Sequence, residues 1–131
     1  MSSYAVFIQG SLQNFDEDGD GVPDGFMFKL RNRYMTICIT RITAKLDGEP
    51  LDPDKISFIV DSNETKASQI TATSPFCIPV DTTTTVKVFK RGGLKPGIKS
   101  RLNIVIEVPG YGTPGFSLIL DVDSRSISIY Y

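Results

Sequence analysis

Arg101-Leu102-Asn103-Ile104-Val105-Ile106-Glu107-Val108 decides the fold class of this chain. Leu102, Ile104, Ile106 and Val108 fall on one side of an extended backbone, with Arg101, Asn103 and Glu107 on the other. That is the two-residue period of a half-buried strand. The alternation recurs at Leu118, Leu120 and Val122, and at Ile127 and Ile129 with Ser126 and Ser128 opposite. Val86 and Val88 repeat it between Thr85 and Lys87. β-branched residues dominate these runs, as suits a pleated surface. No stretch carries a convincing helical period; the best candidate, Glu64 to Ala72, is short and rich in Ser and Thr.

One segment breaks phase. Ile37 and Ile39 lie on odd positions, whereas Ile42, Ala44 and Leu46 lie on even ones. A regular strand cannot bury both sets on one side. Either a β-bulge near Thr40-Arg41 restores the phase, or the strand passes there from one sheet to another. Turn chemistry punctuates the rest. Asp47-Gly48 predicts a tight hairpin. Leu51-Asp52-Pro53-Asp54 closes it, and Ile56 to Val60 follows as a strand. Gly92 to Gly97 and Pro109 to Gly115 are turn-rich connections. Many short strands at regular spacing, without repeat or linker, predict an all-β fold. We read one antiparallel β-sandwich domain over residues 1–131.

Composition narrows the function. The net charge is −1, and the basic pairs Arg31/Arg33 and Lys90/Arg91 are offset by acidic segments, so no nucleic-acid footprint is present. No apolar run approaches the roughly 20 residues of a spanning helix, so no membrane span is expected. The N-terminal stretch lacks the basic and apolar regions of a secretory signal. Cys38 and Cys77 form no CxxC pair and sit among apolar residues. They read as two separate thiols in a reducing compartment, which places the protein in the cytoplasm. The chain contains no histidine. That excludes Ser-His-Asp and Cys-His catalysis and histidine-ligated zinc or iron. No glycine-rich phosphate-binding motif occurs.

The sharpest local motif is Asp16-Glu17-Asp18-Gly19-Asp20-Gly21-Val22-Pro23-Asp24-Gly25. Asp16, Asp18, Asp20 and Asp24 fall at the first, third, fifth and ninth positions of a calcium loop, with Gly21 at the sharp turn. The twelfth position is Met27, where a bidentate Glu is required, and the flanks are strand-like. The motif is a weak calcium site or simply an acidic hairpin. Arg31, Asn32, Arg33 and Tyr34 read as a connection between strands able to bind an anionic group or a partner's carboxylate. Tyr111, in the Pro/Gly-rich loop, is an exposed aromatic of the kind that anchors interfaces. Phe76, between Pro75 and Pro79, caps the sandwich or docks on a partner. Arg31, Arg33, Tyr34, Phe76 and Tyr111 are therefore the interface or active-site-rim candidates. Asp52, Asp54, Asp121 and Asp123 sit at turns or strand ends without an enclosing pocket, so a two-carboxylate hydrolase is not expected. No catalytic residue is assigned.

The order of these features resembles a known family. It runs Gly10-Ser11-Leu12-Gln13-Asn14-Phe15, a polar hairpin, and Gly25-Phe26-Met27-Phe28-Lys29-Leu30-Arg31. Leu46-Asp47-Gly48-Glu49-Pro50-Leu51-Asp52-Pro53 and Ile56-Ser57-Phe58 follow. Gly92-Gly93-Leu94-Lys95-Pro96-Gly97 and Pro109-Gly110-Tyr111-Gly112 complete it. From about Phe7 to Gly112 the chain resembles the small β subunit of bacterial C-glycoside deglycosidases. The resemblance implies a non-catalytic sandwich that assembles with a TIM-barrel α subunit, completing and stabilising its active site. It implies a divalent metal, typically manganese, in that α subunit. It also implies lyase cleavage of a carbon–carbon bond in 3-oxo-C-glycosides, by the hetero-oligomer only. The chain departs from the expected pattern in lacking tryptophan and in its longer acidic hairpin. Two other readings compete: a stand-alone sandwich module binding carbohydrate or calcium, and an assembly protein pairing through the edge strand that ends at Tyr130-Tyr131.

Overall fold

The periodicity resolves into strands on nearly every predicted segment. The computed structural model describes residues 5–33 and 35–130. Strands β1 (Ala5–Phe7), β2 (Gln13–Phe15), β3 (Gly25–Asn32), β4 (Ile37–Ile39), β5 (Arg41–Leu46) and β6 (Glu49–Pro50) come first. Then follow β7 (Ile56–Val60), β8 (Asn63–Lys66), β9 (Phe76–Ile78), β10 (Thr83–Phe89), β11 (Ser100–Glu107), β12 (Gly115–Asp121) and β13 (Ser126–Tyr130). Among the described residues the helical content is two single turns of 3-10 helix, Pro53–Lys55 and Ala67–Gln69. The second falls where the sequence held its best helical candidate.

Two antiparallel sheets carry the fold. The front sheet runs β1-β3-β10-β7-β8, with β2 also paired to β3. β1 pairs with the last residues of β3 and β2 with the first, so both lie along the one edge that β10 leaves open. The back sheet runs β13-β12-β11-β5-β6. One hydrophobic core joins them: Phe26, Phe28, Val86 and Val88 from the front meet Leu46, Leu102, Leu118 and Leu120 from the back. Of these, Phe26, Phe28, Val88, Leu102, Leu118 and Leu120 expose none of their surface. Each contributes about 1.5–3 kcal/mol through burial. The sequence's all-β antiparallel sandwich is the architecture observed.

The phase break at Thr40 is a change of sheet. β4 pairs with β9 in a small separate sheet, and after Thr40 the chain enters the back sheet as β5. The Thr40 N–H donates to the Glu107 carbonyl at 2.9 Å, which fixes the crossing point beside β11. The β5–β6 hairpin turns on Asp47 (φ 51°) and Gly48 (φ 86°). Two consecutive left-handed residues are what a two-residue turn matched to strand twist requires.

The reading of Cys38 and Cys77 as separate thiols is corrected. They face each other across the β4–β9 ladder and form a disulfide. The thiol argument for a reducing compartment falls with it. The free-edge reading of β13 is also revised. The Gln9 side chain donates to the Ile127 carbonyl at 2.9 Å and accepts from the Ile127 N–H at 3.1 Å. The Gly10 N–H donates to the Arg125 carbonyl at 3.0 Å. Part of the outer edge of β13 is thus already occupied by the chain's own loop. No helix among the described residues is long and apolar enough to cross a membrane.

Candidate functional site: an apolar cavity between the sheets

Between the two sheets the core is not closed. A cavity of about 290 Å³ opens there, at the lower end of the size range of small-molecule pockets. Its front wall is Phe28, Leu30, Phe58, Thr84 and Val86. Its back wall is Ile42, Ile104, Ile106, Phe116 and Ile129. The disulfide-linked small sheet adds Ile37, Ile39, Phe76 and Ile78. Strand alternation places these side chains: Phe28, Val86 and Ile104 sit on the inward phase of their strands and are buried. The mouth lies at Tyr111, Pro114 and Gly115, which are exposed, with half-buried Phe116 and Met35 beside them.

One polar side chain is set into the wall from the core of the front sheet. Thr84 is 1% exposed, and its hydroxyl has no hydrogen-bond partner. An unpaired buried hydroxyl costs about 1–3 kcal/mol. No Asp or Glu lines the cavity among the described residues. What the cavity offers a guest is therefore burial against apolar walls.

The sequence candidates divide. Phe76 and Tyr111 both line this cavity, Phe76 buried at 8% exposure inside and Tyr111 at 59% on the mouth. Phe76 is thus a buried wall of the cavity. Arg31 is exposed and belongs to β3, not to the connection after it. Arg33 is exposed just beyond the strand. Neither lines the cavity. Tyr34 lies outside the described residues. Asn32 is a structural tie: it is buried, and its amide donates to the Met35 carbonyl at 2.6 Å and the Ile78 carbonyl at 3.0 Å. The sequence reading missed Thr84 altogether, because it sits in the polar run Thr82-Thr83-Thr84-Thr85. The inward phase of Val86 and Val88, extended two residues back, is the signal that finds it.

The acidic hairpin stands apart, beyond the β2–β3 ladder. Ligand-type oxygens of Asp16, Asp18, Asp20 and Asp24 lie within 4.8 Å of one another. The loop holds itself in shape through backbone bonds. Asp16 accepts from the Gly19 N–H at 3.0 Å and the Gly21 N–H at 2.9 Å, and Asp24 accepts from the Glu17 N–H at 2.8 Å. The hydrogen bond from Asp18, followed by that from the Gly21 N–H, lowers Asp16 below the usual carboxylate value. The same contact raises Asp18 above it; the next largest influence, the Asp20 N–H, works the other way, and desolvation and the Asp20 carboxylate then add to the rise. Glu17 pairs with Lys87, whose ammonium lies 4.7 Å from the centre of the Phe15 ring and 5.1 Å from that of Phe89. That contact pins the hairpin to the outer face of the front sheet and explains a lysine only 9% exposed in mid-strand.

Fold and site together define a class: an antiparallel β-sandwich with an open-mouthed apolar cavity and no histidine. The chain belongs to the C-glycoside deglycosidase beta subunit family, whose family model matches residues 3–109. The resemblance drawn on the turn motifs is thereby borne out over nearly the same span. No curated protein matches the chain.

Proposed function

We propose that this chain is the small, non-catalytic subunit of a C-glycoside deglycosidase, acting on a larger catalytic subunit rather than on substrate by itself. The family match over residues 3–109 carries the reading, since a beta subunit implies a partner. We take that partner to be a TIM-barrel α subunit holding a divalent metal such as manganese. The complex then performs the lyase cleavage of a 3-oxo-C-glycoside, while this chain completes and stabilises the active site. The donor set here supports leaving the catalytic metal to the partner. The chain has no histidine, and its cluster of carboxylates, three of the four exposed, sits on a surface hairpin outside the cavity lining. Exposed Arg31, Arg33 and Tyr111 supply polar and aromatic contacts for a partner surface.

Co-expression with a sugar-isomerase-like protein from the same organism tests the proposal. Cleavage of a 3-oxo-C-glycoside should require both proteins together. Full cleavage by the larger protein alone, or none by the pair, overturns it.

The convergence of Asp16, Asp18, Asp20 and Asp24 favours a second reading, a calcium-stabilised hairpin, although Met27 leaves the bidentate position empty of oxygen. Saturable Ca²⁺ uptake in calorimetry, abolished by Asp16→Asn/Asp20→Asn, is the expected result. A flat titration removes this reading.

A further inference from the structure

The disulfide sits on the solvent side of the small sheet. Phe76 and Ile78 are buried on β9 while Cys77 between them is exposed, so strand alternation turns Cys77 away from the cavity. Cys38, opposite it on β4, is half-buried. Neither cysteine lines the cavity, whereas Ile37, Ile39, Phe76 and Ile78 all do. One face of the β4–β9 pair therefore carries the bond, and the other is cavity wall. Exposed disulfides are the ones a thiolate reaches, and they form the labile and regulatory class. The chain's two cysteines are this pair, so no third thiol competes when the bond opens.

The bond also spans a thinly supported piece of the fold. Among the described residues β4 and β9 pair only with each other, over three residue pairs. Two strands alone are marginally stable in water. The chain enters β9 through residues 71–75, all exposed, whose hydrogen bonds run among Thr71, Thr73 and Ser74 themselves. The anchors of this segment are buried Ile70 before it and Ile78 after it, where the Asn32 amide donates to the Ile78 carbonyl at 3.0 Å. Between those anchors the short ladder, the Phe76 ring packed 5.6 Å from that of Phe58, and the disulfide hold the chain down.

We propose that the Cys38–Cys77 bond is a reversible redox latch. A dithiol reductant opens it in the folded chain, and residues 71–77 then come away from β4 and carry Phe76 off the cavity wall, while the two large sheets stay intact. A thiolate of the reductant attacks the Cys77 Sγ, the Sγ–Sγ bond breaks, and Cys38 leaves as a thiolate that takes up a proton. The reductant's second thiol gives up its proton and displaces Cys77, which is protonated in turn. Two electrons pass to the chain, and the dithiol ends as its own disulfide. The latch belongs to this chain alone and stands independently of the deglycosidase reading.

The test applies dithiothreitol to the oxidised full chain and reads thiol alkylation by mass spectrometry and amide hydrogen exchange. Without denaturant the bond should open, exposing two alkylatable thiols per chain. Exchange in β4 and β9 should then quicken at least about tenfold, with β10 and β11 within about twofold of the oxidised chain. Oxidised glutathione should restore both the bond and the original exchange. Cys38→Ala/Cys77→Ala should exchange like the reduced parent, with or without dithiothreitol. Reduction that waits for unfolding in urea overturns the proposal. So do unchanged exchange in β4 and β9 after reduction, faster exchange through all strands alike, and a bond that oxidised glutathione fails to restore.

Discussion

Gly25 sits at the end of β3 that pairs with Phe89 of β10. A β-carbon there would lie 2.0 Å from the Val88 carbonyl oxygen, a backbone atom that cannot swing aside. Gly25→Ala should therefore cost about 3 kcal/mol, read as a lower urea midpoint at unchanged slope. A midpoint within error of the parent would contradict the packing described. Thr84→Val should act in the opposite sense on the free chain. It removes an unpaired buried hydroxyl and should stabilise by about 1 kcal/mol, and a loss of stability would show that the hydroxyl has a partner. The Asp16–Asp18 contact sets a pH prediction. Asp16, lowered by Asp18, contributes stability that is present above the ordinary value of 3.8 and lost as pH falls through its own depressed value. Asp18, raised, contributes stability that is present below 3.8 and lost as pH rises through its elevated value. The two trends oppose one another in overall stability, so carboxyl-carbon NMR is the sensitive readout. Asp18 should titrate above Asp16, and Asp16→Asn should bring Asp18 down. Coincident titrations would show that the side chains do not touch.

At the scale of elements, non-local ties hold short strands that could not persist alone. β4 and β9 have three residues each, and their only cross-link of covalent strength joins Cys38 to Cys77 across a separation of 39 residues. Loop-closure entropy for such a span gives about 4 kcal/mol. Cys38→Ala/Cys77→Ala should lose stability of that order in chemical denaturation, and reductant should destabilise the parent while leaving the double variant unmoved. No difference between the oxidised parent and the double variant would contradict the bond's role. Asn14 performs the same office without a covalent bond. Its side chain accepts from the Leu94 N–H at 2.9 Å and donates to the Leu94 carbonyl at 3.0 Å, holding a residue 2% exposed against the core. Much of this level was legible in advance. The shift of phase between Ile39 and Ile42 required either a bulge or a change of sheet, and the fold takes the second, while Asp47-Gly48 announced its turn. The disulfide was not legible, because strand partners 39 residues apart are chosen by tertiary packing that no local pattern encodes. Alternation put Lys87 on the face opposite Val86 and Val88, but gave no sign that the acidic hairpin covers that face through Glu17.

For the whole molecule, alternation along β10, β11 and β12 was enough to specify two sheets around one core, because burying every inward set admits few other arrangements. The cavity was hidden for the complementary reason. Periodicity says which side chains face inward, but not whether they fill the space they face. Phe76 and Tyr111 were singled out from loop composition, and both line the cavity, although they come from chain segments that meet only in the folded state. Arg31 and Arg33 remain on the outer surface, where their value depends on a second protein. The central claim is that the sandwich serves such a protein. The most direct measurement is capture of the tagged full chain from its native cell at natural abundance, with mass spectrometry of what remains bound and the mass of the complex in solution. A stoichiometric sugar-isomerase-like barrel subunit in a complex heavier than 14.4 kDa is the result predicted. Recovery of this chain alone, at the mass of a single copy, would contradict the account.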